Sequence, residues 1–270
     1  MNITNRVKQK LWERFTEISG KQLNENGYIS TPQENLLPGV NLVDFETDYQ
    51  QGSGNELDNK FLAIHSSSAL VVNSFAPWRK MPSELFLCGQ SEFKEISFEK
   101  KCPTGLRGIP PNLDLFVKSE EVIIGVESKL SEYLTPKLPK FSSSYNKDNL
   151  RHIEDKWWKV LEDKKDESKL QYLDVVQLIK HYLGLRNRKD IDKHRAILFY
   201  LFWEPVNWNE FDVFVRHRRE IEEFAEQVKR TSIEFVAQSY PELWSEWENQ
   251  TEWKYREHLV NLRHRYGVII

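Results

Sequence analysis

Cysteine is almost missing from this sequence of 270 residues, which contains only Cys88 and Cys102. Their spacing matches no metal-ligand pattern, which leaves free thiols in a reducing compartment as the expectation and a disulfide as the open alternative. No apolar run approaches the roughly 18 residues of a membrane-spanning helix. The N-terminal MNITNRVKQKLWERF also lacks the apolar core of a signal peptide. These absences predict a cytoplasmic protein that does not contact a membrane.

A strong charge of one sign is missing as well. The formal net charge is −3, which argues against a protein that binds nucleic acid through its whole-molecule field but leaves local basic patches open. Hydrophobic residues make up 39% and aromatic residues 13% of the chain, so a disordered protein is excluded. We expect an N-terminal helix and irregular segment over residues 1–55 and a larger unit over residues 56–270, together one compact domain.

Common catalytic motifs are absent too. The seven histidines form no HExxH pattern and no other paired metal spacing. No GxSxG element and no cysteine–histidine arrangement indicates acyl-transfer chemistry. The sequence contains no internal repeat and no low-complexity tract. The chemistry must therefore be sought in another arrangement of side chains.

The segment GIPPNLDLFVKSEEVIIGVESKL at Gly108–Leu130 is where charge enters an apolar pattern. It predicts two strands, Asn112–Val117 and Val122–Leu130, that are joined by a short turn. Side chains alternate along a strand, so Glu127 and Lys129 share one face.

The length of the turn determines which residue of the second strand lies opposite Asp114. An even number of turn residues brings Asp114 opposite Gly125 or Glu127, on the face that also carries Lys129. Two carboxylates and one ammonium group would then converge. Such a group is costly inside a sheet unless it has a use, and two carboxylates suit Mg²⁺, which prefers oxygen ligands. The alternative is a structural ion pair of Lys129 with Glu127 or Asp114.

Pro111-Asn-Leu-Asp114 followed by Val126-Glu127-Ser128-Lys129 resembles the PD-(D/E)xK nuclease superfamily, and within it the branch of restriction endonucleases. The motif here carries an Asn-Leu insertion between its Pro and its Asp. The core resemblance covers about Ser91 to Pro205, and a weaker one extends from near Gly52 to Trp244. It implies an α/β, restriction-endonuclease-like fold with a mixed central sheet flanked by helices, and extra helices at both termini.

The resemblance also implies roles for site residues. Asp114 and Glu127 would bind Mg²⁺, or Mn²⁺ as an alternative, and Lys129 would act with the attacking water or on the phosphate. Glu56, as an acid from the first core helix, would be a further metal ligand, or else an ordinary acid at a helix start. Gln177 would reach the scissile phosphate or the water from the helix that follows the Glu-x-Lys strand, or else lie on the helix surface.

Several polar segments are candidates for nucleic-acid contact. Ser66 and Ser67 interrupt a helical pattern and permit close approach of a phosphate or of the sheet. The lysines of the loop Ser131–Asn149 and the arginines of the loop Arg186–Arg195 provide phosphate-binding groups, although solvated surface charges have the same pattern. We expect both loops to flank one edge of the sheet. The candidates in these loops are Lys137, Lys140, Arg186 and Arg188.

The periodicity of apolar residues predicts the remaining elements. The predicted helices are Asn5–Ser19, Glu56–Phe75 with a break or cap at Ser66–Ser68, Leu150–Asp163, Leu170–Leu185, Asp212–Val228, Pro241–Asn249 and Glu252–Tyr266. The further predicted strands are Phe93–Lys101, Ala196–Trp203 and Ile233–Gln238. A mostly irregular segment is expected over Lys21–Asn55.

These observations converge on a metal-dependent nuclease, most directly a DNA endonuclease of restriction or defence type. A catalytically inactive nucleic-acid-binding or scaffold protein with the same fold is the first alternative. A nuclease that acts on RNA or on branched DNA is the second. The sequence leaves open whether the chain forms a homodimer.

Overall fold

A five-stranded mixed sheet forms the centre of the protein. The computed structural model describes residues 2–52, 56–165, 167–250 and 253–270. The strands lie in the order β1-β2-β3-β4-β5, with β1, β2 and β3 antiparallel and β3, β4 and β5 parallel. This α/β architecture confirms the predicted fold class. The strands are β1 Glu95–Lys101, β2 Asn112–Lys118, β3 Val122–Lys129, β4 Arg195–Phe202 and β5 Ile233–Ser239.

Helices cover both faces of this sheet within the described residues. Helix α5 packs on β3 and β4, with α4 and α6 beside it, whereas α3 packs on β2 and β3 from the other face. Helices α1 and α8 pack on each other. None of the described helices is long and apolar enough to cross a lipid bilayer. The helices are α1 Ile3–Ser19, α2 Glu46–Gln51, α3 Ser67–Phe75, α4 Asp155–Lys165, α5 Val175–Arg186, α6 Asp212–Val228, α7 Tyr240–Gln250 and α8 Arg256–Tyr266.

The ends of α1 follow from its capping residues. The Asn2 side chain accepts a hydrogen bond from the Asn5 amide at 2.8 Å, and Gly20 ends the helix in the left-handed conformation. Helix α6 matches its predicted span. The predicted helix Glu252–Tyr266 is observed as a short 3₁₀ turn followed by α8, and Glu252 lies outside the described residues.

The helical prediction for Glu56–Phe75, which included a break or cap at Ser66–Ser68, was wrong for the part before that break. A turn and a short 3₁₀ helix, Lys60–Leu62, precede α3. The predicted cap is confirmed, because Ser66 Oγ accepts a hydrogen bond from the Ala69 amide at 3.2 Å. The irregular segment likewise contains α2, while its residues 53–55 lie outside the described part of the chain.

The helix predicted over Leu170–Leu185 begins five residues later than expected, at Val175. Asp174 caps it by accepting a hydrogen bond from the Gln177 amide at 3.0 Å. Leu170 is 55% exposed and does not belong to the buried face. The buried side chains of α5 include Val175, Leu178, Ile179 and His181.

Candidate active site

The backbone pairing of the β2–β3 hairpin ends just before the charged residues Asp114 and Glu127. The register joins Leu115 to Val126, and continuing it by one residue would join Asp114 to Glu127. Instead, the Ser128 amide donates to Oδ2 of Asp114 at 2.6 Å. The Asp114 side chain thus binds the Ser128 amide, which could otherwise have continued the backbone pairing of the hairpin. This hydrogen bond ties Asp114 to β3 beside Glu127.

Strict alternation, on which the prediction of a shared face rested, does not hold at Asp114. Phe116 lies directly across from Gly125, so both belong to one face of the sheet. Leu113 also lies against Gly125 on its α5 side. Leu113 and Phe116 are three residues apart, so strict alternation would place their side chains on opposite faces. Because both lie on the same face, the alternation is interrupted between them. On β1 the pairing is interrupted at the same level, where Glu99 has a left-handed φ of 47°.

Glu127 is the most enclosed charge of the group, with a side chain 3% exposed. Its Oε1 contacts the ammonium of Lys129, and its Oε2 lies 2.5 Å from Nε2 of His181. Burial alone would raise the pKa of Glu127, but the charges and hydrogen bonds of Lys129 and His181 outweigh it and hold the pKa at about 2. The carboxylate is therefore ionised at neutral pH.

The pKa values of Asp114 and Lys129 are both raised, so both groups are shifted toward the protonated form. Burial, together with the nearby charges of Glu127 and Glu99, raises the pKa of Asp114 well above its usual range. For Lys129 burial acts to lower the pKa, yet the carboxylates of Glu127 and Asp114 raise it well above its ordinary value. The three groups therefore interact electrostatically, with more negative charge than one ammonium group compensates.

Glu99 is a further acid of the site that the sequence analysis did not identify. Burial raises the pKa of Glu99 to about 7, with contributions from the charges of Glu56 and Glu127 and an opposing hydrogen bond from Asn112. The Asn112 amide donates to Oε2 of Glu99 at 3.0 Å. In the sequence Glu99 is one of several charges in FKEISFEKK, so only its strained backbone and its position beside Asp114 distinguish it.

Glu56, proposed as a metal ligand, adds its charge to the burial that raises the pKa of Glu99. It accepts a hydrogen bond from the Ser68 hydroxyl at 2.9 Å. Burial raises the pKa of the Tyr49 phenol, and the charges of Glu99, Asp114 and Glu56 raise it further. Glu56 thus interacts electrostatically with Glu99 and Tyr49, and its carboxylate accepts from Ser68.

Helix α5 contributes Gln177 and a residue that sequence reasoning missed, His181. The Gln177 amide nitrogen lies 2.9 Å from Nε2 of His181, so Gln177 reaches the site through the imidazole. His181 is fully buried. The signal in the sequence was its spacing of four residues from Gln177, which puts both on one side of the helix.

An open cleft of about 200 Å³ borders Lys129. Its wall is fixed where Lys137 and Gln171 exchange backbone hydrogen bonds of 2.8 and 2.9 Å. Lys137 and Lys140 are on the rim of this cleft. The polar residues that line the cleft include Lys129, Glu132, Lys137, Lys140, Gln177 and Lys180.

A second cleft of about 250 Å³ shares Glu132 and Thr135 with the first. Ser66 and Ser67 line it. Ser66 is buried as the cap of α3, whereas Ser67 is half-buried. The remaining polar lining of the second cleft includes Lys8, Glu56, Lys60 and His65. The two clefts therefore meet at the segment that follows β3.

The arginines of the Arg186–Arg195 loop do not border these clefts, contrary to the expectation. The loop precedes β4 and lies at the start of the parallel strands, whereas Lys129 ends β3. Arg186 pairs with Asp192 at 3.1 Å and Arg188 with Asp190 at 2.9 Å. Helix α5 runs back along the sheet, which carries its C-terminal end away from the site.

The described residues contain no group of three or more His, Cys, Asp or Glu side chains that could hold a metal ion by themselves. The site offers Asp114 and Glu127 as its central carboxylates. A pair of this kind does not match a closed zinc site, which takes four protein ligands. It does match the binding of Mg²⁺, which is held through one or two carboxylates together with waters and substrate phosphates.

Comparison with known proteins gives one match. A family model described as Restriction Endonuclease associating with ARP matches residues 7–267. No curated protein and no solved structure matches the chain. The match covers nearly the whole chain, including every strand of the sheet and all the residues of the site described above.

Proposed function

Because the chain belongs to the family of restriction endonucleases associating with ARP, we propose that it is a Mg²⁺-dependent nuclease whose substrate is DNA, in restriction or defence. The observation that carries the proposal is the group of Asp114, Glu127 and Lys129 beside a cleft lined by lysines. A buried excess of negative charge is costly in a protein unless a cation or a reaction uses it.

The two carboxylates would hold the cation. Asp114 uses Oδ2 for the Ser128 amide, and its Oδ1 accepts no hydrogen bond within the described part of the chain. A bound Mg²⁺ supplies polarisation of a phosphoryl oxygen and a water of lowered pKa. Mn²⁺ has the same preference for carboxylate and water ligands and should substitute for it.

Lys129 would act as a cation and not as a base. The carboxylates of Glu127 and Asp114 keep its pKa well above the usual range against the effect of burial, so the ammonium stays charged at neutral pH. A charged donor beside the scissile phosphate offsets the negative charge that grows on it in the transition state. Gln177, which lines the same cleft, would orient the phosphate or the attacking water.

The substrate backbone would run along the first cleft past Lys137 and Lys140. Phosphate contacts in protein–DNA complexes come largely from lysine, arginine, hydroxyl groups and backbone amides. The second cleft, with Ser67, Lys8 and Lys60, would continue this path because the two clefts share Glu132 and Thr135.

Cleavage of supercoiled plasmid DNA tests the proposal. The wild-type protein should nick or linearise the plasmid with Mg²⁺ and not with EDTA. Lys129→Ala should lower the rate by about 100-fold or more. Lys94→Ala is the matched control, since Lys94 pairs with the exposed Glu120 at the opposite end of the sheet. Equal rates for wild type and Lys129→Ala would contradict the proposal, as would activity in EDTA.

Inactivity on plasmid DNA calls for a substrate panel before the inactive-scaffold alternative is accepted. Single-stranded RNA and a branched DNA junction are the two substrates to add. Thermal denaturation of each variant separates loss of chemistry from loss of fold, because breaking a buried ion pair costs about 3–5 kcal/mol.

A further inference from the structure

The buried face of helix α5 carries an ionisable group in its middle. His181 is 0% exposed, and buried neighbours along the helix are apolar, among them Leu178 and Leu185. An imidazole buried without a partner is costly. Its Nε2 lies 2.5 Å from Oε2 of Glu127, so the partner of this histidine is a carboxylate of the site.

The direction of this hydrogen bond follows from the charge of Glu127. Oε1 of Glu127 contacts the Lys129 ammonium, so Glu127 is paired as a carboxylate anion. An ionised carboxylate only accepts hydrogen bonds. Nε2 of His181 therefore carries the hydrogen and donates it to Oε2, and the Gln177 amide nitrogen, itself a donor 2.9 Å from the same Nε2, contacts it without a hydrogen bond. Nδ1 has no hydrogen-bond partner among the described residues.

The two central carboxylates are held in the same way. The Ser128 amide holds one oxygen of Asp114 at 2.6 Å, and the His181 imidazole holds one oxygen of Glu127. Each carboxylate is then left with a second oxygen. In Asp114 this oxygen is without a hydrogen bond in the described chain, and in Glu127 it contacts Lys129.

We propose that His181 is the positioning residue of Glu127: it holds Oε2 and leaves Oε1, which Lys129 contacts, as the oxygen that would bind a divalent cation. The inference rests on the proposed nuclease function. Lys129 compensates the Glu127 charge when no cation is bound. A cation at Oε1 would supply that compensation instead, and the Lys129 side chain already lines the cleft.

The affinity for a divalent cation should depend on His181 even in the absence of DNA. A carboxylate fixed through one oxygen loses little freedom when the other binds a cation. Without the imidazole N–H, Glu127 could turn and present both oxygens to Lys129. Removal of a group that orients a metal ligand typically weakens metal binding by about 10–100-fold.

Calorimetric titration of Mn²⁺ into the DNA-free protein tests the role of His181. In His181→Gln the amide nitrogen stands about where Nε2 stood, so this variant should bind Mn²⁺ nearly as the wild type does. In His181→Asn the amide is shorter and falls away from Glu127, so the affinity should drop by about 10–100-fold. His258→Asn is the matched control, because His258 is also buried and lies 2.8 Å from the Asn73 carbonyl on another helix.

The Gln and Asn variants are both polar and of similar size, so their comparison holds even if each is less stable than the wild type. Equal Mn²⁺ affinity in His181→Asn and wild type, with plasmid cleavage intact in the wild type, would overturn the role of His181 alone. Absence of both Mn²⁺ binding and cleavage in the wild type would overturn the nuclease proposal and this inference with it.

Discussion

Asp114 is a carboxyl group kept in surroundings that oppose its charge. Burial, Glu127 and Glu99 raise its pKa, while Lys129 and the Ser128 amide counteract them only in part. A protein selected for stability alone would place an amide here. Strongly perturbed acids of this kind are concentrated at functional sites, where a substrate or a cation completes the balance of charge.

Asp114→Asn should therefore stabilise the protein while abolishing cleavage. The Asn side-chain oxygen still accepts from the Ser128 amide, and the unfavourable charge is gone. We expect a gain in the free energy of unfolding of about 1 kcal/mol at pH 7, measured by urea denaturation. Asp190→Asn is the control, because Lys118 and Arg188 pair with Asp190 and lower its pKa. A loss of stability in Asp114→Asn as large as that in Asp190→Asn would contradict this account.

Glu99 gives a pH-dependent prediction. Its pKa, raised mainly by burial and further by Glu56 and Glu127, is about 7 in the folded protein against an ordinary 4.5. The folded state thus binds this proton more tightly than the unfolded state does. The wild type should lose stability as the pH rises from about 4.5 through 7, by up to roughly 3 kcal/mol.

Glu99→Gln removes that dependence. The difference in free energy of unfolding between Glu99→Gln and wild type should be small at pH 4 and should grow in favour of the variant up to pH 8. Urea denaturation at a series of pH values measures it. A difference that stays constant with pH would show that Glu99 does not titrate in this range. Glu95→Gln, at the other end of the same strand, is the comparison.

At the scale of the element, the fit of α5 to its surroundings depends on Gly184. A Cβ atom at this position would lie 2.4 Å from the backbone oxygen of Cys102 and 2.6 Å from its sulfur. Helix α5 approaches the end of β1 this closely because glycine has no side chain. That approach also determines where His181, one turn earlier, meets the sheet.

Gly184→Ala should destabilise the protein by about 1–3 kcal/mol through overpacking and should lower cleavage because α5 must shift. Gly20→Ala is the comparison, since a Cβ at Gly20 meets nothing within 4 Å and the cost is only that of its left-handed backbone, with φ 64°. Thermal denaturation and the plasmid assay check both variants. Unchanged cleavage in Gly184→Ala would mean that α5 accommodates the methyl group without moving its catalytic side.

The start of helix α3 separates two serines that the sequence analysis grouped together. Ser66 caps the helix, whereas Ser67 lines the second cleft without a capping bond. Ser66→Ala should lose about 1 kcal/mol of stability. Ser67→Ala should leave stability unchanged and weaken DNA binding, as measured by fluorescence anisotropy. Equal effects of the two substitutions on stability would contradict the assignment of the cap to Ser66.

At the scale of the whole molecule, the basic groups fall on two ends of the sheet. Lys137 and Lys140 border the cleft beside Lys129, while Arg186 and Arg188 lie at the far end and are paired with Asp192 and Asp190. With a net charge of −3, the protein has no general attraction for DNA. Under the proposed function, DNA binding would come from the end that carries the clefts.

Charge reversal at each end of the sheet tests which end binds DNA. Lys137→Glu with Lys140→Glu should weaken DNA binding and flatten the dependence of log K on log salt by about 0.9 for each phosphate that the protein no longer neutralises. Arg186→Glu with Arg188→Glu, the matched pair, should leave that slope unchanged. Fluorescence anisotropy with a duplex at several salt concentrations measures both. An equal weakening in the two double variants would place the DNA-binding surface outside the clefts.

Local pattern was enough to predict the strands, the end of α1 at Gly20 and the cap of α3 at Ser66. The apolar run of β4, the alternation of β1 and the caps Gly20 and Ser66 all depend on neighbouring residues in the chain, so they can be read without tertiary contacts. The common face of Glu127 and Lys129 could be predicted in the same way, because residues two apart on one strand point to the same side of the sheet.

Only the tertiary structure decided what surrounds that pair. The interruption of alternation at Asp114, the strained backbone at Glu99 and the approach of His181 each depend on contacts between strands or between a strand and a helix distant in sequence. The direction in which α5 runs carried Arg186 and Arg188 away from the site that Gln177 adjoins. A sequence pattern records which face a residue takes within its own element, whereas the packing of elements determines which charges meet, because that packing is a compromise among all the buried side chains at once.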